Sequence, residues 1–184
     1  MAAYYQCKRC KQSVKIIDKG EGQLTCCGEP MQMIDRFASS DDILDFAIAR
    51  EQEAHDFYAH WAQEAQHSSI QEVFKEFAKE ELRHKQILMK AKQGKVLKPS
   101  DKQIEDMRIP DYLIDVTPTP DMDYQQALIV AMKREKASFK LYSDLATATD
   151  DTQLRTTLHT LAQEEAKHKL RLETLYEKDV LIWD

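Results

Sequence analysis

An internal repeat constrains the fold of this chain more strongly than any other feature. The stretch "EELRH" ends at His84, and the similar stretch "EEAKH" ends at His168, 84 residues later. Four residue pairs share that spacing of 84: Glu51 and Glu135, Tyr58 and Tyr142, Glu81 and Glu165, and His84 and His168. Agreement of several pairs at one spacing predicts two equivalent structural units, built from the same elements in the same order.

Apolar residues from about Ser40 onward recur with the period of an α-helix. The pattern predicts four helices, at roughly 41–66, 69–93, 121–148 and 151–177. Asp41 or Ser40 is expected to cap the first helix, and Gly94 to end the second. The apolar stripe of the third helix includes Phe139, which is therefore expected in the core.

Six ionisable residues fall in phase with these apolar stripes and are expected to point inward. They are Glu51, Glu81, His84, Glu135, Glu165 and His168. Buried carboxylates without partners are very costly, and four together repel one another. Two divalent cations would bring four positive charges against four negative ones, and the i, i+3 spacing of Glu-x-x-His places both ligands on one helix face. The helices are therefore predicted to enclose a two-metal site.

Neighbouring polar residues are assigned from the same helical phase. Tyr58 and Tyr142 are expected to hydrogen-bond to the ligand carboxylates, with ordinary core packing as the alternative. His55 lies one turn after Glu51 and has three open roles: metal ligand, proton donor or satisfied core histidine. The acidic residues that lie out of phase are expected to be solvated: Glu53, Glu80 and Glu164.

This arrangement resembles the di-iron carboxylate pattern of ferritin-like bundles, in which two helices give one Glu each and the other two give Glu-x-x-His. The connection from about Lys95 to Pro120 is long enough to run the length of such a bundle. The predicted fold class is mainly α. It is a four-helix ferritin-like bundle with one long crossover, preceded by a small metal-binding module rich in β-hairpin structure.

The small module is predicted from the cysteines, which all lie near the start of the chain: Cys7, Cys10, Cys26 and Cys27. The predicted domains are residues 1–36 and 37–184. No apolar leader is recognisable, so the thiols are expected to stay reduced and to bind metal. Consecutive side chains of a strand point to opposite faces, so Cys26 and Cys27 need a bend to converge. The intervening "SVKIIDKGEGQLT" predicts a β-hairpin with its glycines in the loop.

The stretch "YYQCKRC", followed after fifteen residues by "CCGEPM", resembles desulforedoxin and the front domain of desulfoferrodoxins. The resemblance covers about Tyr4 to Met33 and implies one iron, held by four cysteines, that transfers single electrons. A zinc ribbon that only stabilises the fold stays open as the alternative. A module this small is expected to need its metal for folding in either case.

Together the module and the helices are similar to the rubrerythrin family, whose familiar members carry a rubredoxin domain at the C-terminus instead. The resemblance implies reduction of hydrogen peroxide to water at the di-iron centre. Electrons would return through the iron–thiolate centre from an external donor, either rubredoxin-like or a reductase. The resemblance also implies at least a homodimer.

The resemblance further implies ligand roles: bridging for Glu81 and Glu165, and terminal for Glu51, Glu135, His84 and His168. Familiar rubrerythrins carry one more glutamate, one turn after the ligand of the third helix. Here that position is Ser138, which makes the site more symmetric and similar to that of a bacterioferritin. Oxidation of iron(II) by an iron-handling ferritin-like protein therefore stays open as an alternative to peroxide reduction.

Composition excludes two other classes of function. A net charge of −6 argues against a nucleic-acid-binding protein, which would show a basic stripe. The longest apolar run, Ala127 to Met132, is far shorter than the roughly 20 residues that a membrane span needs. The chain is therefore expected to act in the cytoplasm.

Overall fold

The computed structural model describes residues 3–7, 9, 13–16, 24–34, 37, 39–94 and 117–180. Within them, four helices form the bundle: α1 Ser40–Glu64, α2 Ser68–Lys92, α3 Tyr124–Thr147 and α4 Thr152–Asp179. Each helix begins and ends within a few residues of its predicted range. The mainly α fold class is confirmed, and it rests on two antiparallel pairs, α1 with α2 and α3 with α4.

Local hydrogen bonds set the helix ends. Ser39 caps α1, so the prediction of Asp41 or Ser40 is wrong: the Asp42 backbone N–H donates to the Ser39 hydroxyl at 3.2 Å. Ser39 has an extended backbone and Ser40 is already helical, which is the geometry that a capping residue requires. The prediction for the end of α2 is confirmed, because Gly94 follows it with a φ of +79°.

Two apolar clusters, one toward each end of the bundle, fix the helix directions. The first contains Ile70 near the start of α2 and Leu128 near the start of α3. The second contains Leu88 near the end of α2 and Leu145 near the end of α3. Because α2 and α3 run in the same direction, the chain between them must return along the length of the bundle. This confirms the long crossover as topology, although residues 95–116 lie outside the described part of the chain.

The outward surface of the helices carries one residue that was expected inside. Phe139 is 36% exposed, so its prediction as a core residue is wrong. Helical phase gives the direction of a side chain, but burial also requires a neighbouring helix to cover that direction at that level. Among the described helices, none combines the length and the apolarity of a membrane span.

Five short strands form the N-terminal module: β1 Ala3–Gln6, β2 Ser13–Ile16, β3 Thr25–Cys26, β4 Glu29–Pro30 and β5 Gln32–Ile34. They form one sheet of order β2-β1-β5 and a separate β3-β4 pair, all antiparallel. β2 pairs with β1, with Gln6 opposite Ser13. Most of the hairpin predicted between Ser13 and Thr25, including its loop, lies outside the described residues, so that hairpin stays a prediction.

The predicted bend at the adjacent cysteines is confirmed. Cys26 pairs with Glu29 across the β3-β4 turn, which leaves Cys27 and Gly28 as its two central residues. Their φ angles are +53° and +79°, the left-handed values that a two-residue hairpin turn of the I′ type needs. Gly28 adopts this conformation without steric cost, and Cys27 adopts it at the other central position of the turn.

Phe37, which precedes α1, packs on the bundle. Its ring packs edge-on against Phe46 of α1, with the centroids 5.4 Å apart. It therefore extends the second apolar cluster of the bundle. The division of domains between residues 36 and 37 stays a prediction.

Candidate metal centres

The two Glu-x-x-His motifs meet inside the bundle. One ligand atom from each of Glu81, His84, Glu165 and His168 lies within 4.8 Å of the others. In each motif the i, i+3 spacing turns Glu and His to the same side of the helix. Because α2 and α4 pack beside each other, the two motifs face the same small volume.

Glu51 and Glu135 complete this cluster from α1 and α3, and both are buried. Glu51 Oε2 lies 3.8 Å from His84 Nδ1, and Glu135 Oε2 lies 3.1 Å from His168 Nδ1. Each half of the repeat thus places its own glutamate beside its own histidine. All six predicted metal ligands therefore surround one site.

Two buried tyrosines connect the halves. The Tyr58 hydroxyl donates to Glu135 Oε1 at 2.5 Å, and the Tyr142 hydroxyl donates to Glu51 Oε1. In each carboxylate, one oxygen therefore accepts from a tyrosine while the other faces a histidine. The sequence predicted hydrogen bonds from these tyrosines, but it gave no sign that each one crosses to the other half.

The histidine rings stack at the centre of the cluster, with centroids 5.1 Å apart and planes inclined by 9°. Glu165 lies between them: Oε1 is 2.9 Å from His84 Nδ1, and Oε2 is 3.7 Å from His168 Nδ1. In both rings Nδ1 faces the carboxylates, so Nε2 points away from them. With one oxygen toward each histidine, Glu165 is placed to serve two metal ions.

Several buried atoms of the cluster have no hydrogen-bond partner among the described residues: Glu51 Oε2, Glu81 Oε2, both Glu165 oxygens and both His84 nitrogens. His84 Nδ1 and Glu165 Oε1 are close enough for an ion pair but are not aligned as a hydrogen bond. Buried polar atoms are normally hydrogen-bonded, so such a concentration requires an explanation. Carboxylate and imidazole ligands in this number fit a pair of iron ions.

Burial raises the pKa values of the carboxyl groups that α1 and α3 contribute to the cluster. It raises the pKa of Glu51 well above its usual value, and the charges of Glu81 and Glu165 raise it further. Burial likewise raises the pKa of Glu135 to about 8. Glu135 therefore holds a proton at neutral pH when no metal is bound, and the pKa shift of Glu51 is in the same direction; protonation relieves the repulsion among the carboxylates.

The pKa values of the two histidines are raised, whereas burial in apolar surroundings alone lowers the pKa of a histidine. Burial works to lower the pKa of His84, but Glu165 outweighs it and the pKa rises to about 9. Burial also works to lower the pKa of His168, and Glu135 and Glu165 raise it to about 11. Burial would raise the pKa of Glu165, yet the two histidines hold it well below its usual value. Protons thus supply the positive charge that metal ions would bring.

His55 does not join the cluster. Its Nδ1 lies 2.8 Å from the Ala78 backbone oxygen, within hydrogen-bond distance. It belongs to neither group of potential metal ligands in the described part of the chain. Of its three possible roles, the structure supports that of a histidine satisfied by the backbone.

The acidic residues that lie out of phase are at the surface in ion pairs with arginine. Glu53 pairs with Arg50 on α1. Glu80 and Glu164 both pair with Arg83, at 3.0 and 3.2 Å, so that this arginine joins α2 to α4 above the cluster. They differ from their neighbours Glu81 and Glu165 because one residue rotates a helical side chain by about 100°.

Sequence reasoning missed a buried pair on α4. Lys169 and Glu173 are both buried, and Lys169 Nζ lies 3.6 Å from Glu173 Oε1. The signal was available, since Glu165, Lys169 and Glu173 follow one another at i, i+4 spacing on one helix face. The first half has no equivalent pair, because Met89 stands where the repeat would place the second carboxylate.

The second candidate centre lies in the module. The Sγ atoms of Cys7, Cys26 and Cys27 lie within 4.8 Å of one another, and those of Cys26 and Cys27 are 3.9 Å apart. Sulfurs bound at about 2.3 Å to one tetrahedral ion lie about 3.8 Å apart, so the spacing fits such a site. Cys10, the predicted fourth ligand, lies outside the described residues.

The cysteines differ in their access to solvent. Cys7 is buried, Cys26 is half-buried and Cys27 is exposed. The positive φ of Cys27 turns its sulfur toward that of Cys26 although the two residues are adjacent in sequence. A metal bound here would therefore have one ligand at the surface of the module and one in its interior.

The fold and the two clusters define a class: a ferritin-like helical bundle with a carboxylate–histidine metal centre, joined to a small cysteine-based metal module. The family model of rubrerythrin matches residues 42–176, so the chain belongs to the rubrerythrin family. The family model of the desulfoferrodoxin N-terminal domain matches residues 2–34. No curated protein and no solved structure matches the chain. The matches and the two clusters together indicate an iron-binding protein of the di-iron oxidoreductase type.

Proposed function

We propose that this protein is a non-haem di-iron peroxidase that reduces hydrogen peroxide to water. Iron held by the four cysteines would relay electrons to the bundle from an external donor, such as a rubredoxin-like protein or a reductase. One observation carries the proposal: a single chain holds a carboxylate–histidine cluster suited to two metals and a cysteine cluster suited to one. A peroxidase needs both a site that donates two electrons to peroxide and a route that returns electrons to that site.

The carboxylates would hold the metal pair in a fixed arrangement. The residues that would hold the two ions are Glu51, Glu81, His84, Glu135, Glu165 and His168. The chemistry supplied by a bound pair of iron ions is Lewis acidity and two-electron reduction, which converts hydrogen peroxide and two protons into two molecules of water. The residues of the chain orient the ions, exclude other reactants and manage the protons.

The tyrosines would position the terminal carboxylates. Each hydroxyl holds one carboxylate oxygen, which leaves the other oxygen directed toward the metal position. Burial raises the pKa of Tyr58 well above its usual value, and the nearby Glu135 and Glu81 raise it further. The Tyr58 hydroxyl therefore keeps its proton and remains a hydrogen-bond donor throughout the accessible pH range.

The cysteine module would be the port through which electrons reach the bundle. Cys27 is exposed, so a donor protein can approach one edge of the thiolate cluster without unfolding the module. Cys7 is buried, and its sulfur lies within 4.8 Å of that of Cys27. The thiolate centre would carry single electrons, and two successive transfers would restore the bundle.

The test follows both centres in one experiment. The protein is purified anaerobically, loaded with iron, reduced fully and treated with hydrogen peroxide in sub-stoichiometric steps. The expected result is a rise of the thiolate–iron absorption in proportion to the peroxide added. Glu165→Gln should abolish this response, because it removes the shared ligand. Glu164→Gln, which changes the neighbouring surface residue, should leave it intact.

Two results would count against the proposal. If the thiolate–iron band responds equally in Glu165→Gln, peroxide reacts at the module directly and the two centres are not one circuit. If the module holds zinc after growth in iron-replete medium, it has a structural or docking role instead. The same absorption measurement separates these cases, since zinc–thiolate sites have no visible band.

A second candidate function is oxidation of iron(II) by an iron-handling protein. The near-symmetry of the bundle centre favours it, because Ser138 supplies no additional carboxylate and the six ligands fall into two equal sets. Iron turnover distinguishes the two functions. A peroxidase consumes peroxide with a constant iron content, whereas an iron-oxidising protein takes up added iron(II), passes its electrons to dioxygen and releases iron(III).

A further inference from the structure

The surface above the bundle centre breaks the symmetry of the repeat. The spacing of 84 residues relates Glu80 to Glu164 and His84 to His168, and it also relates Arg83 to Lys167. If the two halves were equivalent, each surface glutamate would stand in the same relation to the histidine of the opposite half. The structure shows two different arrangements.

On one side, a carboxylate faces the outer nitrogen of a histidine. His168 Nε2 lies 4.0 Å from Glu80 Oε2, and the same oxygen accepts a hydrogen bond from Arg83 Nε at 3.0 Å. Arg83 therefore fixes Glu80 in place beside the ring. The separation of 4.0 Å is one that a bridging water or a small side-chain rotation closes.

On the other side, the equivalent carboxylate is held elsewhere. Glu164 accepts from Lys167 Nζ at 2.5 Å and from Arg83 Nη2 at 3.2 Å. His84 Nε2 is buried and has no hydrogen-bond partner among the described residues. The side chain of His84 is 0% exposed, while that of His168 is 12% exposed. One histidine thus has an outer carboxylate partner and the other does not.

We propose that Glu80, anchored by Arg83, is a positioning residue for His168 and makes the two metal positions of the bundle unequal. A carboxylate that accepts the outer N–H of a ligand histidine fixes the ring orientation and increases its donor strength. The position that His168 serves therefore binds metal more tightly than the position that His84 serves. This inference rests on the proposed two-metal centre. It adds the order in which the two positions bind metal.

The test is a titration of the metal-free, reduced full-length chain with cobalt(II), which reports carboxylate–histidine and thiolate ligands through different absorption bands. The wild-type bundle should bind two ions with unequal affinities. Glu80→Ala should weaken the tighter of the two by about 10–100-fold, the usual effect of removing an outer partner of a ligand. Glu164→Ala is the matched control and should leave both affinities unchanged. The Glu80 side chain is 38% exposed, so its truncation leaves the bundle core intact.

A second readout separates positioning from a general loss of stability. In the cobalt-loaded protein, the outer N–H of each ligand histidine gives a strongly shifted proton resonance. Glu80→Ala should move one of these resonances and speed its exchange with solvent, and should leave the other in place. Glu164→Ala should move neither.

Each alternative result has a definite meaning. Two ions bound with equal affinity in the wild type, or the same titration for Glu80→Ala and the wild type, would overturn this inference and leave the metal centre standing. Fewer than two ions bound at the carboxylate–histidine site of the wild type would overturn the two-metal centre, and the inference with it.

Discussion

The cysteine module and the helical bundle are stabilised in different ways. In the bundle, apolar side chains from all four helices form two buried clusters. In the module, strands of two to four residues carry few buried groups, and Tyr5 and Cys7 are those found among its described side chains. The comparison predicts that a metal ion would have a structural task in the module, whereas in the bundle the apolar core would support a metal site that the fold does not require.

The largest expected difference between the two regions follows removal of all metal. A chelator under reducing conditions should unfold the module and leave the bundle helical. Structural metal sites of small domains contribute about 10–16 kcal/mol of binding free energy, which the short strands of the module cannot replace. Far-ultraviolet circular dichroism should retain the helical signal, while the amide resonances of the module collapse to unfolded positions.

Ligand variants give the matched controls for that experiment. Cys26→Ser should unfold the module even with metal present, whereas Glu81→Gln should leave both regions folded. A metal-free module that keeps its dispersed resonances would contradict the comparison. Loss of the helical signal on chelation would also contradict it, because the bundle would then require metal to fold.

The second difference concerns the pH dependence of the metal-free bundle. The folded pKa values of Glu135, His84 and His168 are about 8, 9 and 11, all above their usual values. Groups with raised pKa values stabilise the fold fully below the unfolded pKa, and this contribution is lost as the pH rises through the folded pKa. Stability of the metal-free bundle should therefore fall from about pH 4.5, set by Glu135, to about pH 11, set by His168, and most steeply between about pH 6.5 and 8, where all three groups contribute. The slope is up to about 1.4 kcal/mol per pH unit for each proton involved.

The metal-loaded bundle should behave differently over the same range. Metal ions displace these protons, so its stability should stay level or rise with pH as the competition from protons weakens. Chemical unfolding at several pH values, followed by helical circular dichroism, measures both curves. Parallel curves for the loaded and metal-free proteins would show that the six residues do not bind metal.

A third difference lies in the sensitivity of each region to the apolar core. Leu158 is fully buried in the second cluster, so Leu158→Ala should lower the free energy of unfolding of the bundle by about 2–5 kcal/mol. Leu82→Ala, at an exposed position of α2, should cost less than about 0.5 kcal/mol. The thiolate absorption of the module should be unchanged in both. A shift of that absorption in Leu158→Ala would show that the two regions are coupled.

The sequence predicted the bundle better than the module, and the reason is physical. Helical periodicity is a local signal repeated over many turns, so the four helices and the inward phase of Glu51 and Glu165 could be read directly. The 84-residue repeat then supplied long-range information that periodicity alone does not contain. Phe139 was misplaced because phase gives a direction, while burial depends on what another helix places there.

Strand pairing in the module could not be derived in the same way. The segment Ser13–Ile16 can pair with a strand on either side of it, and its own residues do not distinguish the two. The pairing with Ala3–Gln6 depends on contacts distant in sequence, since β5 pairs with the other edge of β1. The crosswise bonds of Tyr58 and Tyr142 were likewise inaccessible, because they depend on how the two helix pairs are set against each other.

The smallest expected effect tests whether the bundle helices begin independently of the metal. At the start of α3, the Gln126 backbone N–H donates to Asp123 Oδ1 at 2.7 Å, and the Asp123 backbone N–H donates to Gln126 Oε1 at 2.9 Å. Asp123→Ala removes this capping box and should lower the free energy of unfolding by about 1 kcal/mol. The loss should be equal in the loaded and metal-free proteins, because the cap is a local contact. Asp121→Ala, two residues earlier at an exposed position, is the control. A larger loss in the metal-free protein would mean that the metal site also holds the helix starts in place, and the division between a structural metal in the module and a functional one in the bundle would then have to be abandoned.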